Sequence, residues 1–176
     1  FECLWSHEET GNSLTYRRDI KVGRWVNDRG VKWIEIPQTG VVRRLANRDG
    51  WSRQWQKRMT GPVAQVPDEI HCVRGIQSGA LPIAEQIGIA QSSKRNVQKG
   101  GEEEAWATLN SFLLERGVGY RKEMSSPLTG ERSCSRLSPY LAWGNISIRQ
   151  AYQATRCRAA NLREIREEGK HIDKRW

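Results

Sequence analysis

Small hydroxyl groups are concentrated in the segment SCSRLSPYLAWG, which runs from Ser133 to Gly144. Pro139 suits the first turn of a helix, because it lacks an amide hydrogen and its φ angle is already close to the helical value. Ser135 or Ser138 can then cap that helix. The free N–H groups and the positive end of the helix dipole favour an anion such as a phosphate, and Arg136 adds two-pronged hydrogen bonding. The same residues also fit a capped helix whose serines bond only to the backbone.

A basic stretch lies between residues 41 and 60, where six cationic side chains accompany a single acid. Trp51 and Trp55 are one helical turn apart within it. Aromatic rings among cations can stack on bases and contact phosphates. Tryptophans at positions i and i+4 more often form a buried stripe. We therefore interpret the stretch as a helix that packs both tryptophans inward and directs its cations to solvent, and we interpret the other tryptophans as packing residues too.

Patterns of metal ligands and disulfides are missing from the sequence. The three histidines form no H-x-x-x-H pair, and the four cysteines are widely spaced, at Cys3, Cys72, Cys134 and Cys157. We therefore expect no metal site and a reducing, cytoplasmic environment. No apolar run is long enough to cross a bilayer, so we expect no membrane partner. The net charge of +9 favours a polyanion or a phosphorylated ligand.

The first forty residues predict a strand, a helix and a second strand. FECLWS and VKWIEI are apolar runs typical of strands. Between them, helical spacing extends from Leu14 to Arg29, with Asn12 or Ser13 as the cap and Gly30 as the residue that ends the helix. Two strands joined through a helix by short loops form a βαβ unit, which requires parallel strands.

The rest of the chain predicts a connection followed by helices. Residues 62–101 are repeatedly interrupted by proline and glycine, with one short helix in GALPIAEQIG. Residues 102–176 show no strand pattern. EEEAWATLNSFLLERG predicts a helix ended by Gly117, and SIRQAYQATRCRAANLREI predicts one that begins with a capping box of Ser147 and Gln150. The fold class is therefore α/β followed by all-α. Because the chain opens without Met and closes without a cap, we expect it to be part of a longer protein.

Several motifs resemble the DNA photolyase and cryptochrome family. SCSRLSPYLAWGNIS is similar to the family stretch (T/S)-S-x-L-S-P-Y-L-x-x-G-x-(L/I)-S. WSHEETGNSLTYRRD, PQTGVVRRL and RDGWSRQWQKRM resemble, in family order, the later part of the N-terminal α/β domain, especially in bacterial photolyase-like members. The resemblance implies that residues 1–61 are the C-terminal part of a parallel-sheet, antenna-type domain. It implies further that residues 62–101 are the interdomain linker and that residues 102–176 begin a helical FAD-binding domain.

The same resemblance implies FAD as the cofactor, with its phosphates held by residues 133–138, here called the serine segment. Tyr120 would offer its hydroxyl to a phosphate. The remaining cradle would be formed by side chains and backbone N–H groups of Cys134, Ser135, Arg136, Leu137 and Ser138. Cys134 stands where many members have threonine, so a hydroxyl donor is lost there and a backbone N–H must replace it. The resemblance assigns no catalytic residue and no metal ligand to this chain, and it leaves the antenna chromophore open.

The implied function is that of a photolyase, a carbon–carbon lyase. Such an enzyme acts as a monomer on UV-damaged DNA and splits pyrimidine dimers by electron transfer from excited reduced FAD. We expect the 176-residue chain alone to be inactive. Two alternatives stay open. One is a cryptochrome, a blue-light photoreceptor of the same fold. The other is a flavin-free, basic nucleic-acid-binding module that uses Arg43, Arg44, Arg48, Lys57 and Arg58.

Overall fold

The computed structural model of the chain describes residues 2–90, 94, 97–173 and 176. Its elements are, in order, β1 (Cys3–His7), α1 (Ser13–Asp28), β2 (Lys32–Ile36), α2 (Trp51–Thr60), α3 (Glu102–Leu114), α4 (Tyr120–Glu123), α5 (Gly130–Ser133), α6 (Ser138–Ala142) and α7 (Ile148–Glu167). Short 3₁₀ turns lie at Ala84–Ile87 and Arg116–Gly119. Within the described residues the fold is thus a mixed α/β half followed by helices, and no strand follows β2.

The predicted βαβ unit is confirmed. Strands β1 and β2 pair in parallel over their whole length. Of the two candidate caps, Asn12 is the one used: its side-chain oxygen accepts from the N–H groups of Leu14 and Thr15 at 2.9 and 3.1 Å. Gly30 has a φ of 65°, a left-handed conformation that glycine adopts without strain, and this reverses the chain toward β2.

The main buried cluster lies in the helical half of the chain. It comprises Ala105, Leu109, Leu113, Leu137, Tyr140, Ile146 and Ala151. Helix α3 contributes Ala105, Leu109 and Leu113 to this cluster. It ends at Leu114 and not at the predicted Gly117, which lies within the 3₁₀ turn that follows. Helix α7 begins with the predicted capping box, because Ser147 accepts from the N–H of Gln150 and the Gln150 side chain accepts from the N–H of Ser147.

Helix α7 also joins the two halves of the chain, by binding the end of α2. The last carbonyl groups of a helix lack partners within the helix and attract positive charge. Arg149 donates to the carbonyl oxygens of Arg58 and Pro62 at 2.8 and 2.7 Å. Gln153 donates to those of Met59 and Gly61 at 3.0 and 2.8 Å. Two side chains of α7 therefore bind four carbonyl oxygens at and just after the C-terminal end of α2.

The expected burial of the tryptophans is wrong for several of them. On α2, Trp55 packs edge-on against Tyr152 of α7, with 5.0 Å between the ring centroids. Trp51 lies one turn earlier and remains 38% exposed, and the fully buried residue of this helix is Met59. Helix α7 covers only the C-terminal part of α2, which explains the difference. Trp143, just after α6, is 85% exposed.

Candidate phosphate-binding site

The serine segment connects two short helices and is anchored by its apolar side chains. Helix α5 ends at Ser133, the chain runs without regular structure through residues 134–137, and α6 begins at Ser138. Leu137 and Tyr140 are buried in the main cluster. Their burial fixes the position of the segment. The polar groups beside them are only partly buried or exposed.

Neither serine caps the helix that follows. The residue at the cap position is Leu137, which has no side-chain hydrogen bond to offer, and Ser138 is the first helical residue. Pro139 lies in the first turn, as predicted. Helix α6 has only five residues, so few peptide dipoles are aligned and the expected contribution of the helix dipole is small. Among the described residues, the hydroxyls of Ser135 and Ser138 have no hydrogen-bond partner.

Arg116 holds the carbonyl side of the serine segment. Its guanidinium donates to the carbonyl oxygens of Arg132 at 3.0 Å, Cys134 at 2.7 Å and Ser135 at 3.4 Å. It also bonds to the carbonyl of Thr108 and the hydroxyl of Ser111, both on α3. The sequence analysis missed this residue, because a single arginine in a turn carries no signal of what it will bind. The arrangement ties the segment to α3 through its carbonyl groups.

The backbone N–H groups of the segment are left as available donors. No acceptor within the described part of the chain takes the N–H of Ser135, Arg136 or Leu137. Arg136 has a φ of 59°, a left-handed conformation that is strained for a residue with a side chain. Three amide donors and the two free serine hydroxyls therefore lie within four consecutive residues. This donor set suits an anion with several oxygen atoms, such as a phosphate.

Cys134 and its neighbour Ser133 are engaged within the protein. Ser133 is 2% exposed, and its hydroxyl donates to the carboxylate of Glu123. The N–H of Cys134 donates to the carbonyl of Gly130 at 2.9 Å, and its thiol lies 3.9 Å from the carbonyl oxygen of Met124. Its own carbonyl accepts from Arg116. All the polar groups of Cys134 thus have partners, so the available donors begin at Ser135.

The side chains of two other residues expected at the site, Tyr120 and Arg136, contact neighbouring residues of the protein. Tyr120 is the first residue of α4, packs edge-on against Phe112 at 5.7 Å between centroids, and is 39% exposed. Arg136 forms an ion pair of 2.8 Å with Glu131, and its carbonyl accepts from Gln98 at 3.0 Å. The guanidinium of Arg136 is therefore already neutralised, and its backbone is the part of the residue that remains free to donate.

A cleft of about 470 Å³ lies on the side of the segment that faces α3. Its lining includes Arg116, Arg132 and Arg136 together with the acid Glu131. Burial lowers the pKa of Arg116, and the positive charge of Arg136 lowers it further. Within the residues that the structure describes, no group of histidine, cysteine or acidic side chains could hold a metal ion. None of the described helices has the length and hydropathy to cross a membrane.

Comparison with known proteins gives one informative match. The chain is 29% identical over 167 residues to the deoxyribodipyrimidine photo-lyase of Halobacterium salinarum. The chain is similar to a photolyase. The match covers 87% of the chain but 34% of that photolyase, so the chain spans about a third of its length. No family model matches the sequence.

Proposed function

We propose that the chain is part of a light-dependent DNA repair flavoprotein, a deoxyribodipyrimidine photolyase, and that its serine segment holds the phosphates of FAD. The observation that carries the proposal is the set of unpaired donors at Ser135, Arg136, Leu137 and Ser138. Similarity to a photolyase over most of the chain supports the same assignment. Tyr120 would add a further hydroxyl from the start of α4.

In this proposal the protein positions the cofactor and contributes no catalytic side chain. Arg116 keeps the carbonyl oxygens of the segment turned toward α3, so that oxygen atoms do not face the negatively charged phosphates. The free amides and hydroxyls bind those phosphates instead. When bound, reduced FAD supplies the electron that splits a pyrimidine dimer after light is absorbed. The substrate is UV-damaged DNA, and the positive net charge of the chain favours such a polyanion.

The proposal includes the domain organisation that the family resemblance implies. Residues 1–61 would be the last part of the α/β domain, residues 62–101 the linker, and residues 102–176 the first part of the FAD-binding domain. The linker contacts the site itself, because the side chain of Gln98 donates to the carbonyl of Arg136. The linker would therefore help to shape the cradle as well as connecting the domains.

The flavin-free alternative receives less support, because two of its five cations are occupied. Arg43 forms ion pairs with Glu35 at 2.6 Å and with Glu8 at 3.7 Å. Arg58 donates to the carbonyl oxygens of Thr39 and Val41 at 3.2 and 2.9 Å. These arginines hold a loop against the protein, so they are not free to follow a nucleic-acid backbone.

The absorption spectrum of the purified protein tests the proposal. We expect flavin bands after expression of the whole natural protein that contains this sequence. Ser135→Leu together with Ser138→Leu should abolish them, because bulky apolar groups would fill the cradle and remove two donors. Ser125→Leu, at another exposed serine, should retain them. A colourless wild type, or a double variant that binds flavin like the control, would contradict the proposal. Illumination with dimer-bearing DNA then separates repair from blue-light signalling.

A further inference from the structure

A cleft beside α2 is distinct from the serine segment and has no assigned role. It measures about 620 Å³ and is lined by Gly40, Val41, Val42, Leu45, Arg48, Trp51 and Trp55. This volume falls within the range of small-molecule sites, which are mostly apolar with a few polar groups that orient the ligand. Among these lining side chains, Arg48 is the one that bears a charge.

The walls of this cleft are held firmly by hydrogen bonds. The indole N–H of Trp51 donates to the carbonyl of Gly40 at 3.0 Å, which fixes the ring while leaving it 38% exposed. Arg58 binds the carbonyl groups of Thr39 and Val41 behind the cleft. At Gly40 an added Cβ would lie 2.0 Å from the Trp55 ring, so the loop and the ring are in close contact. The exposed aromatic surface is therefore preorganised.

The charge around the cleft is positive. Arg48 is exposed and forms no ion pair with a described residue. Arg44 is exposed as well, and its bond to the hydroxyl of Tyr16 leaves its charge uncompensated. The guanidinium of Arg58 is bonded to carbonyl groups only. Asp49 is the single acid between residues 41 and 60. An aromatic floor beside the unpaired Arg48 is complementary to a planar ring that carries a negative group.

We propose that this cleft binds a nucleotide unit, with its base stacked on Trp51 and its phosphate bonded to Arg48. Both a free mononucleotide and a single strand of DNA present this chemistry. Stacking on an aromatic side chain tolerates any base, because every base has a π-face. The site is separate from the serine segment, so it does not depend on the proposed flavoprotein function.

Binding of dTMP and of a fluorescein-labelled dT8 strand to the protein tests this proposal. We expect Trp51→Ala to weaken binding by about 5-fold to 150-fold, the loss that corresponds to one base stack. Trp51→Phe should keep most of the affinity, because it retains the ring face; this separates stacking from a loss of folding. Trp143→Ala, at a tryptophan that is more exposed, should bind like the wild type.

Salt dependence tests the arginine. For a single strand, each phosphate contact contributes about −0.7 to the slope of log K against log salt. Arg48→Gln should reduce the slope by about that amount, whereas Arg17→Gln on the exposed face of α1 should leave it unchanged. Tighter binding of dT8 than of dTMP identifies the strand as the ligand, and equal binding identifies the mononucleotide. The proposal is overturned if neither ligand binds at millimolar concentration, or if Trp51→Ala binds as well as the wild type.

Discussion

The Nη1 atom of Arg116 lies 2.7 Å from the carbonyl oxygen of Cys134, across 18 residues of sequence. This bond is the shortest of a group through which one guanidinium holds the serine segment to α3. It orients the peptide group between Cys134 and Ser135, with the carbonyl oxygen toward Arg116. The amides that follow Cys134 have no acceptor among the described residues.

Replacement of Arg116 should destabilise the protein. Arg116→Met removes a charged donor from the carbonyl oxygens of Thr108, Cys134 and Ser135, in contacts that are partly buried. We expect the free energy of unfolding to fall by about 2 kcal/mol, as measured by urea denaturation. Arg121→Met, at an exposed arginine on α4, is the matched control and should change it by less than about 0.5 kcal/mol. Equal effects of the two substitutions would show that the carbonyl contacts are unimportant.

The three serines of the segment should divide into two classes. Ser133 is buried and bonded to Glu123, so Ser133→Ala should cost about 1 to 2 kcal/mol in unfolding free energy. Ser135 and Ser138 have no protein partner among the described residues, so their alanine variants should change stability by less than about 0.5 kcal/mol. The same two variants should weaken flavin binding. Thermal and urea unfolding, with flavin titration, would reveal the division; three equal stability losses would speak against it.

Gly40 should tolerate no side chain. A Cβ at this position would lie 2.0 Å from Cδ1 of Trp55, and the Trp55 ring is itself packed against Tyr152. Gly40→Ala should therefore destabilise the protein by about 1 to 3 kcal/mol, the usual cost of overpacking. Gly79→Ala is the control, since nothing lies within 4 Å of a Cβ there. A Gly40→Ala variant as stable as Gly79→Ala would mean that the Trp55 ring can move aside.

The contact between α7 and α2 should be sensitive to Arg149. Arg149→Met leaves the carbonyl oxygens of Arg58 and Pro62 without this donor, and we expect a loss of about 1 to 3 kcal/mol. Hydrogen exchange should also become faster at the C-terminal turn of α2, because the helix end is less restrained. Arg156→Met, at an exposed position of the same helix, should affect neither measurement. An unchanged rate of hydrogen exchange in Arg149→Met would show that other contacts stabilise the C-terminal turn of α2.

Local rules predicted β1, α1, β2 and α7. The caps at Asn12 and Ser147 and the left-handed glycine after α1 depend on short-range geometry, which the sequence encodes directly. The parallel pairing of β1 and β2 follows from the length of the connection between them. The end of α3 was predicted a few residues too late, at Gly117. A 3₁₀ turn that contains this glycine follows the helix.

Sequence patterns did not predict the long-range polar contacts. The pairing of Arg116 with the serine segment, and of Arg149 with the end of α2, joins side chains to backbone carbonyls, which every residue possesses. Composition and spacing therefore carry no trace of such partners. The burial of Trp51 was predicted wrongly for a related reason: the i, i+4 spacing indicates a face, but the extent of α7 decides how much of that face is covered.

Helix α7 touches both halves of the chain, since its first two turns bind α2 and its middle donates from Arg158 to the carbonyl of Leu113 at the end of α3. The two contacts are separated by nine residues of α7, a rise of about 14 Å. The second contact lies on the helix that carries Thr108 and Ser111, and both of these residues bind Arg116. Helix α7 therefore links the end of α2 to the helix to which Arg116 holds the serine segment.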